Sequence, residues 1–322
     1  MATTGVLPFV RGVDFSKNDF QEEKFPDRIC SLTGLRWLRL NNVGLENIPS
    51  QITQLEKVEH LSVNNNKLHA IPSRITSLAN LRVLRARNNN LTNYGVPIGL
   101  FELEDLSTID LSHNNLKECP AELENARTLL VLNLSNNEIE VIPNQVFINL
   151  TDLMILDLSD NKLETLPPQM RRLTNLQTLI LNNNPMLHAQ LRQLPALVNL
   201  QSLHMRNTQR TVSNMPAGVE SLTNLCDVDL SQNELPAVPE ALYKLEALKR
   251  LNLADNNIRE LSNGGVEMWA KLESLNLSRN QLKVLPSNLT KCVFLKRLYV
   301  NCNELTFGGI PAGIGKLFDL QV

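Results

Sequence analysis

One short apolar pattern, repeated from end to end, limits this chain to a small set of folds. Leu129-Leu132-Leu134-Asn137-Ile139 spells L-x-x-L-x-L-x-x-N-x-L. The same spacing returns at Leu153-Leu156-Leu158-Asn161-Leu163 and at Leu272-Leu275-Leu277-Asn280-Leu282. Copies begin at 10, 35, 58, 81, 106, 129, 153, 176, 200, 225, 248, 272 and 295, always 23 to 25 residues apart, and a fourteenth opens at Leu320. Thirteen copies give 52 apolar positions, and only Arg210 breaks the rule. Self-similarity at a fixed period of roughly 20–50 residues belongs to stacked-repeat architectures.

The physical role of each position follows from its spacing. The L-x-L core alternates with period two, as a short strand does. One unit cannot bury that face alone, but stacked copies bury it against each other and align their strands in parallel. The pattern predicts an α/β leucine-rich-repeat solenoid, a right-handed superhelix or horseshoe. The sheet would form its concave face, and short 3₁₀, helical or irregular segments its convex side. At about 150 residues per domain the length alone suggests two domains; the repeats predict one, over residues 1–322.

The asparagine recurs in eleven of thirteen copies, the exceptions being Val43 and Thr208. A buried amide both donates and accepts, so it can satisfy turning backbone in its own and the adjacent repeat. Proline holds the strand-to-return junction in eleven copies, at 26, 49, 72, 97, 120, 143, 167, 216, 239, 286 and 311. It fixes φ and removes a donor, which stops the strand. The longest helical return is expected at Leu187–Leu197, where that proline is missing. Val13, Phe15 and Phe20 are expected to close the first repeat's end. The repeat broken at Leu320, with no polar cap after it, reads as a chain that continues.

Composition excludes several classes. With 31 Lys+Arg against 33 Asp+Glu the net charge is −2, unlike a strongly basic nucleic-acid binder. No apolar run is long enough to span a membrane, and Arg11 and Asp14 interrupt the opening where a signal peptide needs apolar residues. Five scattered cysteines (Cys30, Cys119, Cys226, Cys292, Cys302) form no disulfide framework and favour a reducing compartment. Gly308 to Lys316 resembles a phosphate loop but has Ile310 where the first glycine belongs and Leu317 in place of Ser/Thr. The five histidines lack metal-ligand spacing, so no metal or cofactor is expected, and no catalytic constellation points to an enzyme.

Strand residues between the core positions are free to vary and to meet a partner. In repeats 2 to 4 they are Trp37, Arg39, His60, Ser62, Val83 and Arg85, with Arg87 next outward. Repeats 6 to 8 offer Val131, Ile155 and Ile180 as an apolar stripe flanked by Asp110 and Asp157. Repeats 10 to 13 offer Asp227, Asp229, Arg250, Arg297 and Tyr299. Exposed Trp, Tyr and Arg are the types enriched at binding hot spots, so the concave face is the expected site for a protein partner. Repeat 9, with Thr208 and Arg210 in unusual places, reads as a loop turned outward, with Arg206 and Arg210 as contact anchors.

Stretches outside the repeat consensus narrow the family. They include Gly5-Val6-Leu7-Pro8-Phe9-Val10-Arg11-Gly12-Val13-Asp14 and Ile142-Pro143-Asn144-Gln145-Val146-Phe147-Ile148-Asn149-Leu150-Thr151-Asp152-Leu153. Others are Leu166-Pro167-Pro168-Gln169-Met170-Arg171-Arg172-Leu173, Leu187-His188-Ala189-Gln190-Leu191-Arg192-Gln193-Leu194-Pro195 and Thr208-Gln209-Arg210-Thr211. Together they resemble the N-terminal leucine-rich-repeat half of the gelsolin-related Flightless-I family, over essentially the whole chain. The resemblance implies a cytoplasmic, cytoskeleton-associated and nuclear protein that recruits partners in actin remodelling and transcriptional coactivation. It implies coiled-coil Flightless-interacting proteins as partners, with Ras-type GTPases a second class. Actin would be reached only through a gelsolin-like half, of which these residues contain nothing. A Ras-pathway or phosphatase-type repeat scaffold is the alternative reading; a secreted receptor ectodomain would need paired cysteine clusters that are missing here.

Overall fold

The computed structural model describes residues 9–20, 25 and 27–321. The junction at Pro26 and residues 5–8 of the opening stretch lie outside the described residues. The chain divides into two compact units, Met1–Asn161 and Lys162–Val322.

The first unit carries seven three-residue strands: β1 (Gly12–Asp14), β2 (Trp37–Arg39), β3 (His60–Ser62), β4 (Val83–Arg85), β5 (Thr108–Asp110), β6 (Val131–Asn133) and β7 (Ile155–Asp157). They pair in parallel and in sequence order. Each strand is short because only its L-x-L segment alternates. From β2 to β7 the central residue is buried, and Leu38, Leu61, Leu84, Ile109, Leu132 and Leu156 stand in register. The second unit repeats the plan with β8 (Thr178–Ile180), β9 (Ser202–His204), β10 (Asp227–Asp229), β11 (Arg250–Asn252), β12 (Ser274–Asn276) and β13 (Arg297–Tyr299). The aliphatic ladder is the core of both units.

The asparagines close each turn. Asn137 Nδ2 donates to the Leu111 and Leu134 carbonyls, each at 3.0 Å, while its Oδ1 accepts from Leu116 N at 3.0 Å. One buried side chain therefore ties two consecutive repeats together. The preceding residue takes a left-handed φ, 56° at Asn65 and 53° at Asn136. Asn and Asp tolerate that region better than most side chains, which accounts for the frequent Asn-Asn pairs.

Junction prolines lead into single turns. Pro49, Pro72 and Pro120 precede 3₁₀ segments Ser50–Gln54, Ser73–Ser77 and Ala121–Asn125. In the second unit Pro239 opens α1 (Glu240–Tyr243), and Ser262 caps α2 (Asn263–Val266), its Oγ accepting from Gly265 N at 3.1 Å. Trp269 is buried beside them, stacked on Tyr243 at 4.9 Å, with its indole N–H donating to the Leu242 carbonyl at 2.9 Å.

The return over Leu187–Leu197, expected to be the longest of the short helical segments, is not. Only Leu194–Ala196 is helical there, and as 3₁₀. Leu191 sits at φ 47°, a left-handed value that no helix can continue through. Ala189, Leu191 and Leu194 point inward as separate plugs instead. At the other end, Val13, Phe15 and Phe20 are half-buried, with the two phenyl rings edge to face at 6.3 Å. Among the described residues, no helix is long and apolar enough to cross a membrane.

Candidate partner-binding face

Side chains on either side of each strand centre reach the solvent face of the sheet in two rows. In the first unit one row runs Trp37, His60, Val83, Thr108, Val131, Ile155, and the other Arg39, Ser62, Arg85, Asp110, Asn133, Asp157. Period-two geometry puts them there.

Trp37 lies across Gly12, where a Cβ would collide with the indole. The Arg39 guanidinium stands 5.3 Å from the Trp37 ring centroid and 3.5 Å from the Asp14 carboxylate. Trp37, Arg39, His60, Val83 and Arg85 line a hollow of about 210 Å³. The Arg85 guanidinium has no ion-pair or hydrogen-bond partner among the described residues. A wider polar hollow beside it adds Lys17 and asparagines 41, 64 and 88. Arg87, just past β4, reaches His113 Nε2 at 3.0 Å. The sequence thus names a group that the fold does bring together: a partly exposed indole, at 39 %, ringed by cations.

The acidic positions are more constrained. Asp110 Oδ1 accepts from Ser112 N and Oγ at 3.0 and 2.6 Å, and Asp157 does the same with Ser159 at 3.0 and 2.7 Å. One oxygen of each carboxylate therefore fixes its own turn. Val131 and Ile155 are in-register neighbours. Ile180 does not extend their stripe: it occupies the other row of its own unit, in register with His204.

In the second unit Asp227 is the hub. Arg250 donates to its Oδ2 through Nε at 3.0 Å and Nη2 at 2.8 Å, and His204 Nε2 lies 3.7 Å from the same oxygen. The hydrogen bond to Asp227 holds the His204 pKa above its usual value, against the pull of burial. Burial pushes Asp227 upward, but the bonds from His204 and Arg250 outweigh it and hold the carboxyl low. Asp229 binds Ser231 N and Oγ and accepts from Asn252. Arg297 is exposed and Tyr299 half-buried on β13. His204 escaped the sequence reading, although it holds the same position in its repeat as Arg39 and Arg85.

Repeat 9 corrects the sequence reading. Its loop does not turn outward: Thr208 and Arg210 are both fully buried. Arg210 donates to the carbonyls of Ala189 at 2.8 Å, Asn214 at 3.0 Å and Met186. The Met186 carbonyl already accepts from Ala189 N at 3.0 Å, so the guanidinium adds a second donor there, whereas at Ala189 and Asn214 it supplies the donor the backbone does not. Burial without a carboxylate partner lowers its pKa to about 10. Arg210 is thus unavailable as a contact anchor. Arg206 stays exposed, its Nε donating to Gln232 at 2.9 Å. Among the described residues, no group of His, Cys, Asp and Glu could hold a metal ion.

Comparison with known proteins agrees with this geometry. The family described as leucine-rich repeat region matches residues 3–131, and two further leucine-rich-repeat families match 127–186 and 271–292. The chain is 59 % identical over 321 residues to the flightless-1 homolog of Homo sapiens, covering 100 % of this chain and 25 % of that protein. It is 61 % identical over 320 residues to that of Danio rerio, covering 99 % and 25 %. The flightless-1 of Drosophila melanogaster is 58 % identical over 317 residues, again 98 % of this chain and 25 % of the relative. The chain thus spans about a quarter of the length of these curated relatives. Among solved structures, a Leptospira interrogans leucine-rich-repeat protein aligns with TM-score 0.79 at 27 % identity, covering 98 % of this chain and 90 % of that one. A Listeria monocytogenes internalin aligns with TM-score 0.82 at 23 % identity, covering 99 % and 87 %, and supports the fold alone.

Proposed function

The chain belongs to the Flightless-1 family of leucine-rich-repeat proteins, and on that footing we propose that it recruits an acidic protein partner through the sheet face around Trp37 and Arg85. The observation that carries the reading is the Arg85 guanidinium, left unpaired beside an exposed indole in a ready-made hollow. Lys17, Arg39, Arg85 and Arg87 outnumber Asp14 there, so the surface favours carboxylate-rich partners. A coiled-coil Flightless-interacting protein with acidic outer positions fits that description. The same recruitment would link actin remodelling and transcriptional coactivation, from a cytoplasmic, cytoskeleton-associated and nuclear location. In this reading residues 1–322 work as one non-catalytic domain. Asp227, Arg250, Arg297 and Tyr299 form a secondary contact region, and Asp110, Val131, Ile155, Asp157, Ile180 and Asp229 complete the surface.

The test is calorimetric titration of the purified chain with such a coiled-coil protein. Trp37→Ala and Arg85→Ala are each expected to weaken binding by at least about tenfold. Unchanged affinity in both variants would remove this face from the interface.

A further inference from the structure

A second candidate surface lies on the return segments of the first unit, away from the strands. Tyr94 projects its whole side chain into solvent, at 101 % exposure, and Ile98, one turn on, is 60 % exposed. They form one wall of a groove of about 650 Å³ whose other wall holds Pro120 and the carboxylates Glu118 and Glu122. Neither glutamate has an ion-pair partner among the described residues, and no Lys or Arg lines the groove.

The groove is rigidly built. Asn93, beside Tyr94, donates to the Glu118 carbonyl at 2.7 Å and accepts from Lys117 N at 2.9 Å, clamping one wall to the other. Gly95 packs its Cα against the His69 carbonyl, where no larger residue fits. The turn that carries Tyr94 is therefore fixed while its ring packs against nothing. The fold gains no burial from a tyrosine there. A rigid aromatic anchor with its backbone already ordered is what a binding surface needs to keep the entropy cost of association low.

We propose that this groove docks an extended segment of a partner protein in which a lysine or arginine sits next to a branched apolar residue or proline. The apolar residue covers Tyr94 and Ile98, and the cation answers Glu118 and Glu122. This site stands apart from the Trp37 face and does not depend on it.

Phage display of random peptides of about twelve residues, selected on the purified chain, supplies the probe. Enriched peptides are then synthesised, labelled and measured by fluorescence anisotropy. The expected peptides pair Lys or Arg with Val, Ile, Leu or Pro. They lose about tenfold or more in affinity on Tyr94→Ala and on the double variant Glu118→Gln/Glu122→Gln, and keep full affinity for Trp37→Ala. Thermal melts of both groove variants should match the parent, because Tyr94 and Glu118 are exposed and the half-buried Glu122 keeps its size as glutamine. The proposal fails if no enriched peptide is weakened by the groove variants, if the weakened ones are acidic, or if Trp37→Ala abolishes the same binding.

Discussion

Arg210 Nη1 donates to the Ala189 carbonyl at 2.8 Å, joining two turns of the second unit from a slot that every other repeat fills with an apolar residue. The same guanidinium also serves Met186 and Asn214. Restoring the consensus with Arg210→Leu is therefore expected to destabilise, by about 2–4 kcal/mol, because the Ala189 and Asn214 carbonyls lose their donor. Urea unfolding measures this directly. A leucine variant as stable as the parent would mean that those carbonyls find other partners.

Two adjacent glycines in one turn should behave oppositely. A Cβ on Gly309 would strike the Lys283 carbonyl, whereas one on Gly308 would meet nothing within 4 Å. Gly309 also accepts from Leu285 N at 2.7 Å, a bond that any shift would stretch. Gly309→Ala is expected to cost about 1–3 kcal/mol. Gly308→Ala should be neutral or stabilising by up to about 1 kcal/mol, through the unfolded chain. Denaturation midpoints that moved alike for both would contradict the close approach.

The His204–Asp227 pair makes stability depend on pH in a defined direction. His204 has a raised pKa in the fold, so its contribution is fully present below its unfolded value near 6.5 and is lost as pH rises through the folded value. Asp227 has a lowered pKa, so its contribution holds above 3.8 and is lost as pH falls through the lower folded value. Melting temperature should therefore decline from about pH 6 to about pH 8 by an increment that His204→Gln removes. Asp229 and Arg250 also face this histidine, with opposite effects on it. An unchanged slope in His204→Gln would assign the decline to other groups.

How much of this was legible in the sequence depends on how local the cause is. The aliphatic ladder and the asparagine turns repeat every 23 to 25 residues, so the period alone exposes them. Arg210 was misread because two of its partners, Ala189 and Met186, sit 21 and 24 residues earlier, in backbone next to the left-handed Leu191. No local pattern signals that a charged side chain will turn inward to serve carbonyls. His204 was legible by position and overlooked, since its importance comes from Asp227 and Arg250 on the next strands. The Trp37 group was found because strand alternation fixes which residues face out, whereas the pairing that leaves Arg85 free exists only in three dimensions. Tyr94 had a faint signal in the longer, 25-residue fourth repeat that makes room for its turn.

Gly12 and Trp37 provide a probe of the proposed face that leaves its charges untouched. The indole rests on Gly12 because no Cβ intervenes, and this seat holds the ring beside Arg39. Gly12→Ala must lift the ring off β1 and loosen the 5.3 Å stacking with the guanidinium. The other tryptophan, Trp269, is buried, so a change in solvent exposure of the fluorescence reports Trp37. The expected result is greater quenching of the exposed component by iodide, together with partner binding weakened by about three- to tenfold, while overall stability falls by no more than about 1 kcal/mol. The salt dependence of the remaining binding should match the parent, since Lys17, Arg39, Arg85 and Arg87 are all retained. Weakened binding with an altered salt slope would place the effect on the cations rather than on the indole. Full binding with a displaced indole would show that the ring's seat contributes nothing to recognition.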